Sequence, residues 1–212
     1  MLRRLCQNQP SSFKFNKDNF LWAKKQLKKY PKGRQASAVI PLLWRAQEQE
    51  GWVSKPAIEY IADFLEMAPV RVLEVASFYF MFHLNPVGSK AHFQVCGTTP
   101  CMLRGSEDLL RICKKRISEK PLTISENGTL SWEEVECLGA CANAPVAQIG
   151  KDYYEDLDQN SFNALLEKIE KGQLVNPGSF TKRFSSEPAS KTKKLSKTKF
   201  SKENASVERF EG

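Results

Sequence analysis

Four of the six cysteines fall in two tight pairs, Cys96-Gly97-Thr98-Thr99-Pro100-Cys101 and Cys137-Leu138-Gly139-Ala140-Cys141. Thiolate is the soft ligand that iron–sulfur clusters take. Two irons bridged in a rhomb need two thiolates each, and two loops bearing two cysteines apiece supply that number. Gly97, Gly139 and Ala140 remove bulk beside the ligands. Backbone N–H groups can then approach the sulfurs, and such bonds tune a bound cluster's potential.

Spacing alone leaves a structural zinc site of four cysteines open, because C-x4-C and C-x3-C lie within the zinc-ligand range. A thioredoxin-type redox pair needs C-x-x-C, which is absent. Two disulfides need an oxidising compartment. Cys6 and Cys113 have no close cysteine partner in sequence; Cys113 reads as a small buried hydrophobe on a helix face. The chain carries no nucleotide-binding fingerprint, since its 11 glycines make neither G-x-G-x-x-G nor a P-loop. His83 and His92 sit between apolar neighbours and read as satisfied structural residues. Glu133, Glu134 and Glu136 read as hairpin and loop charges rather than acid/base catalysts.

These loops need elements to hold them. Hydrophobic residues are 41% and charged residues 26% of the 212, a globular profile. The longest apolar run, Val75 to Leu84, is far short of the roughly 20 residues that span a bilayer. The start Met1-Leu2-Arg3-Arg4-Leu5 is basic without an apolar stretch, which argues against a secretory signal and favours an intracellular bacterial chain over one with an organellar presequence. Much of the net charge of +8 sits in residues 181–204, with eight Lys/Arg against two acids. That is a solvated tail, not a nucleic-acid surface interleaved with aromatics.

Residues 1–15 read as a flexible arm and 16–87 as a helical bundle. Its helices start at Asp18, near Ser37, at Ser54-Pro56 and at Pro69, with Gly51 ending the second. Phe78, Tyr79, Phe80 and Phe82 are read as core, with a partner-facing surface as the alternative. From 88 to 172 the order is strand, helix, strands, helix, an α+β unit. His92 to Val95 leads as a strand into Cys96, and Gly105 to Ile117 forms a helix. Asn127-Gly128 predicts a hairpin joining Leu122–Ile124 to Thr129–Trp132. A second hairpin turns at Gly150-Lys151, and Asp158 caps a last helix ended by Gly172. Residues 173–212 have the composition of a basic disordered tail.

The segments Val95-Cys96-Gly97-Thr98-Thr99-Pro100-Cys101, Glu136-Cys137-Leu138-Gly139-Ala140-Cys141-Ala142-Asn143-Ala144-Pro145 and Asp152–Leu157 resemble the thioredoxin-like [2Fe–2S] subunits of respiratory complex I, the NADH:quinone oxidoreductase, among them the mitochondrial 24 kDa subunit. The helical part is similar too, at Pro41-Leu42-Leu43, Gln49–Val53 and Ser77–Phe82. Gly150 departs from the Asn the family favours there. The resemblance implies a thioredoxin-like fold over 88–172 and a [2Fe–2S] cluster on Cys96, Cys101, Cys137 and Cys141, with zinc set aside. It also implies a partner subunit that carries FMN and oxidises NADH, and further peripheral-arm subunits.

On that expectation the chain is an electron-transfer subunit lying on the cytoplasmic face of a bacterial inner membrane, or the matrix side in a mitochondrion, with membrane contact only through the assembly. The alternative is the diaphorase part of an NAD-linked hydrogenase or formate dehydrogenase. A zinc-stabilised nucleic-acid binder is the reading from a third class.

Overall fold

The computed structural model describes residues 3–188. The helical unit comprises α1 (Lys17–Leu27), a 3-10 turn (Gln35–Ala38), α2 (Val39–Glu50), α3 (Lys55–Leu65) and α4 (Pro69–Phe78). Ser54 Oγ accepts from Ala57 N–H at 3.3 Å and caps α3, whose first turn contains Pro56. Gly51 ends α2 with φ +82°, a left-handed stop that glycine adopts without steric cost. Val39, Leu42, Leu43 and Ala46 of α2 meet Ile58, Ile61 and Leu65 of α3 in one core, as their spacing predicts. The first helix is capped by Asn16 rather than Asp18: Asn16 Oδ1 accepts from Asn19 N–H at 2.8 Å.

The expected loose arm is packed as far as it is described. Phe13 and Phe15 are buried, each edge-on to Tyr60 at 5.5 Å. Arg3 donates to the carbonyls of Ser77 and Tyr79 at 3.3 and 2.8 Å, a cation on the free carbonyls of a helix C-terminus. Two phenylalanines within a polar stretch are too few to register as a core pattern. The aromatic run divides: Phe82 is buried, whereas Phe78 and Phe80 are both 74% exposed. Helix α4 ends at Phe78, so the residues after it no longer follow one buried stripe.

The second unit is a five-stranded mixed sheet in the order β2-β1-β3-β4-β5, with β1 (Ala91–Cys96), β2 (Leu130–Val135), β3 (Ala147–Ile149), β4 (Asp152–Glu155) and β5 (Gly178–Ser179). Strands β1 and β2 are parallel and are joined through α5 (Thr99–Leu103) and α6 (Ser106–Arg116), since parallel neighbours require a crossover. α7 (Gln159–Glu170) begins at Asp158 in a capping box with Ser161. Strand alternation sorts the sheet's faces. Phe93 and Val95, with Leu130 and Trp132, pack on Leu109 and Cys113 of α6 and Phe162, Leu165 and Leu166 of α7. His92, Gln94 and Glu133 line a cleft against the helical unit.

Three expectations for this unit change. The Asn127-Gly128 turn forms, but residues 122–124 do not become a strand. Pro121 precedes Leu122, which sits at φ +59°, and only isolated bonds such as Leu122 N–H to Trp132 O (2.8 Å) remain. Strand β2 finds its ladder with β1 instead. Helix α5 stands where the sequence shows no helical pattern, because five residues are too few for a periodicity. Finally, the chain stays engaged beyond 172. β5 pairs with β4, and Arg183 pairs with Asp156. Composition misses such a segment because its anchorage is ionic and backbone-borne. Residues 189–212, the rest of the expected tail, lie outside the described residues.

Candidate metal centre

Each of the four clustered cysteines sits at or beside the end of an element. Cys96 closes β1, and its N–H donates to Val146 O at 3.1 Å, while Gly97 N–H donates to Val135 O at 3.1 Å. Cys101 lies within the short α5, started by Thr98 and Pro100. Cys137 follows β2 on an open loop, and Gly139 turns that loop with φ +80°. Cys141 opens a 3-10 turn over Cys141–Asn143. Tyr153 on β4 holds the second loop by donating its hydroxyl to Leu138 O at 3.0 Å. Cys96 and Cys101 are buried with Ala144 and Val146, against which Leu138, Ala140 and Tyr153 pack. Cys137 and Cys141 are exposed.

Burial and hydrogen bonds act differently on the four thiols. Burial pushes the Cys96 thiol up, but bonds from the Thr98 hydroxyl, the Thr98 and Leu138 N–H groups and the Cys101 thiol bring it below its ordinary value. Cys101 is pushed up to about 12, by burial first and then by its bond to Cys96. In the second pair Cys137 is lowered by the Gly139 N–H and by Cys141, and Cys141 is raised by its bond to Cys137. Leu138 and Ala140, which stand between Cys137 and Cys141, pack against the cluster of buried Cys96 and Cys101, so the two loops meet. All six cysteines are free thiols.

This donor set fits a cluster. It offers four soft ligands in two pairs, and backbone N–H groups already point at sulfur, as anionic sulfur requires. A Cβ at Gly97 would lie 1.9 Å from Glu134 Oε1, so a larger residue there would have to displace that exposed carboxylate. Sequence reasoning does not single out Thr98 or Tyr153. Thr98 lies inside the motif but carries no ligand signal, and Tyr153 reaches the loop only through the β3–β4 hairpin.

Among the described residues, the one group of three or more His, Cys, Asp or Glu side chains whose ligand atoms all lie within 4.8 Å of one another is His83, His92 and Glu133, not the cysteines. Their hydrogen bonds are internally used. His92 Nδ1 lies 2.7 Å from Ser131 Oγ and Nε2 lies 3.1 Å from Glu133 Oε1, which also accepts from Gln94 Nε2 at 2.9 Å. His83 stands edge-on to His92 with ring centroids 4.6 Å apart and is lowered to about 4 by burial and by His92. His92 thereby takes the satisfied structural role expected of it, while the His83 ring rests on its edge-on contact with His92.

A family model for thioredoxin-like [2Fe–2S] ferredoxins matches residues 23–170, which include most of the helical unit. The chain is 57% identical over 191 residues to an NADH-quinone oxidoreductase subunit of Rhizobium meliloti (strain 1021), covering 88% of this chain and 70% of that one. It is 49% identical over 160 residues to the corresponding NADH-quinone oxidoreductase subunit of Rickettsia bellii (strain RML369-C), covering 75% of this chain and 95% of that one. Among solved structures, an NAD+-reducing [NiFe]-hydrogenase in the air-oxidised state matches with a TM-score of 0.55 at 18% identity, over 64% of this chain and 23% of that one. At that identity the likeness shows the fold alone. No helix among the described residues is long and apolar enough to cross a membrane. The match spans well over half of the chain, and the chain belongs to the thioredoxin-like [2Fe–2S] ferredoxin family.

Proposed function

We propose that the chain is the iron–sulfur electron-transfer subunit of an NADH:quinone oxidoreductase, with Cys96, Cys101, Cys137 and Cys141 as the ligands of a [2Fe–2S] cluster. The observation that supports this reading is the packing of Leu138 and Ala140, from the loop that bears Cys137 and Cys141, against the buried Cys96 and Cys101. The names of the two relatives, both NADH-quinone oxidoreductase subunits, supply the assembly.

When bound, the cluster supplies one-electron exchange between ferric and ferrous iron. The chain's own contribution is position and electrostatics. Gly139 N–H donates to Cys137 Sγ at 3.4 Å and stabilises negative charge there. The buried pair keeps solvent from one side of the site, and the exposed pair leaves the other side open to a partner.

The proposed partner is a flavin-bearing, NADH-oxidising subunit, because this chain carries no nucleotide-binding fingerprint. Phe80 and Met102 are exposed and line the cleft of about 1170 Å³ that also borders Gly97, Thr98 and Leu138. Exposed aromatic and Met side chains beside a site suit a protein interface. The proposed location follows: peripheral on a membrane through the assembly. The purified chain should contain about two irons and two acid-labile sulfides per chain and, reduced anaerobically, show a [2Fe–2S] EPR signal. A colourless protein holding one zinc would overturn the reading.

The hydrogenase-type diaphorase shares the fold, as the 0.55 TM-score match illustrates, but rests on 18% identity against 57% for the Rhizobium meliloti relative. Affinity purification of the tagged chain from its source distinguishes them: co-purifying quinone-reductase subunits support the first, and a hydrogenase supports the second.

A further inference from the structure

The segment after α7 lies beyond the residues that the family model matches, yet it closes over the loop that bears Cys141. β5 extends the sheet at β4, and Phe180 N–H donates to Glu155 O at 2.9 Å while its ring packs on the sheet core. That brings Arg183 onto Asp156. Arg183 Nε donates to Asp156 Oδ2 at 2.9 Å, and Nη2 pairs with Oδ1. The two side chains are only 9% and 7% exposed. An ion pair so enclosed is worth keeping only when its remaining donors and acceptors are also satisfied. They are: the Ser179 hydroxyl donates to Asp156 Oδ2 at 2.6 Å, and Arg183 Nη1 donates to Glu187 O at 2.8 Å.

The remaining contact reaches the sulfur loop. Arg183 Nη2 donates to the carbonyl of Ala142, the residue next to Cys141, at 2.9 Å. The strap also holds the following residue, where Asn143 Nδ2 donates to Ser185 O at 2.9 Å. On the opposite side Asp156, at φ +55°, donates its N–H to Asn143 O at 2.7 Å. The turn Cys141–Asn143 is therefore gripped between the end of β4 and the strap. Cys141 itself is exposed.

We propose that Arg183 is a positioning residue for the metal centre: by joining Asp156 to the Ala142 carbonyl it locks the loop that presents the Cys141 sulfur. The assignment rests on Cys141 being a ligand. Groups that orient ligands from outside the coordination sphere commonly change metal affinity 10–100-fold when removed. A guanidinium suits the task because one planar fork can serve a carboxylate and a carbonyl together, which a lysine ammonium cannot do in the same geometry.

The test uses the full-length chain with its iron and sulfide. Arg183→Ala should release iron to a chelator roughly tenfold faster than the wild type, with altered EPR g-values in the reduced state. Arg183→Lys should fall between the two. Far-UV circular dichroism should be unchanged in both. Should the Ala variant fail to fold, the Lys variant carries the comparison, because it keeps the charge opposite Asp156 and loses the fork. Wild-type release rates and unaltered g-values in the folded variants would overturn the role of Arg183. A wild-type chain without iron and sulfide would instead overturn the ligand assignment beneath it.

Discussion

The Cys137 and Cys141 sulfurs lie 3.2 Å apart on an exposed loop as free thiols within hydrogen-bonding distance of each other. The Gly139 N–H and the Cys141 thiol lower Cys137, while the same contact raises Cys141. Because the thiolate is the nucleophile, reactivity in the metal-free chain should follow this asymmetry. Iodoacetamide at neutral pH should label Cys137 first. Cys101 and Cys113, both buried and both pushed up to about 12, should label last. Peptide mass spectrometry over a time course reads the order; early modification of Cys113 would contradict it.

Cys113 packs between sheet and helices with Leu109 and Phe162, away from the other sulfurs. Cys113→Ala should cost about 1 kcal/mol of stability through a small cavity. The EPR signal should be unchanged. Replacing Cys96, Cys101, Cys137 or Cys141 with Ser should alter or abolish it.

Acid should destabilise the fold through His83. Its folded value near 4 lies below the ordinary 6.5, owing to burial, the neighbouring His92 and Arg3, and only partly offset by Glu133. The unfolded chain therefore binds more protons as pH falls from about 6.5 to 4, so stability declines across that window, by up to about 3 kcal/mol. Urea titrations at pH 7 and 4.5 should show a smaller acid loss in His83→Asn than in the wild type. An equal loss would exclude His83 as its source.

Two glycines should respond differently to substitution. A Cβ at Gly88 would lie 2.4 Å from the Leu130 carbonyl carbon and 2.7 Å from Ala91 O, so Gly88→Ala should destabilise by about 1–3 kcal/mol. Gly150 has φ +61° and no atom within 4 Å of an added Cβ. Asparagine tolerates that left-handed conformation, so Gly150→Asn should be nearly neutral. Thermal melts of both variants check the contrast.

Local chemistry wrote much of this molecule into its sequence. The caps at Ser54 and Asp158, the stop at Gly51, the apolar stripes of α2 and α3 and the β3–β4 turn at Gly150 each depend on residues a few positions apart, so they are legible one segment at a time. The same holds for the pairing of cysteines within each loop. What the tertiary structure decided was which distant groups meet. Strand β2 lies beside β1 rather than beside residues 122–124, Phe13 and Phe15 enter a core with the far-off Tyr60, and Arg183 reaches back to Asp156 and Ala142. Those pairings are set by long-range burial and by single charges finding partners. Neither leaves a periodic trace in the chain, and so only the folded arrangement shows them.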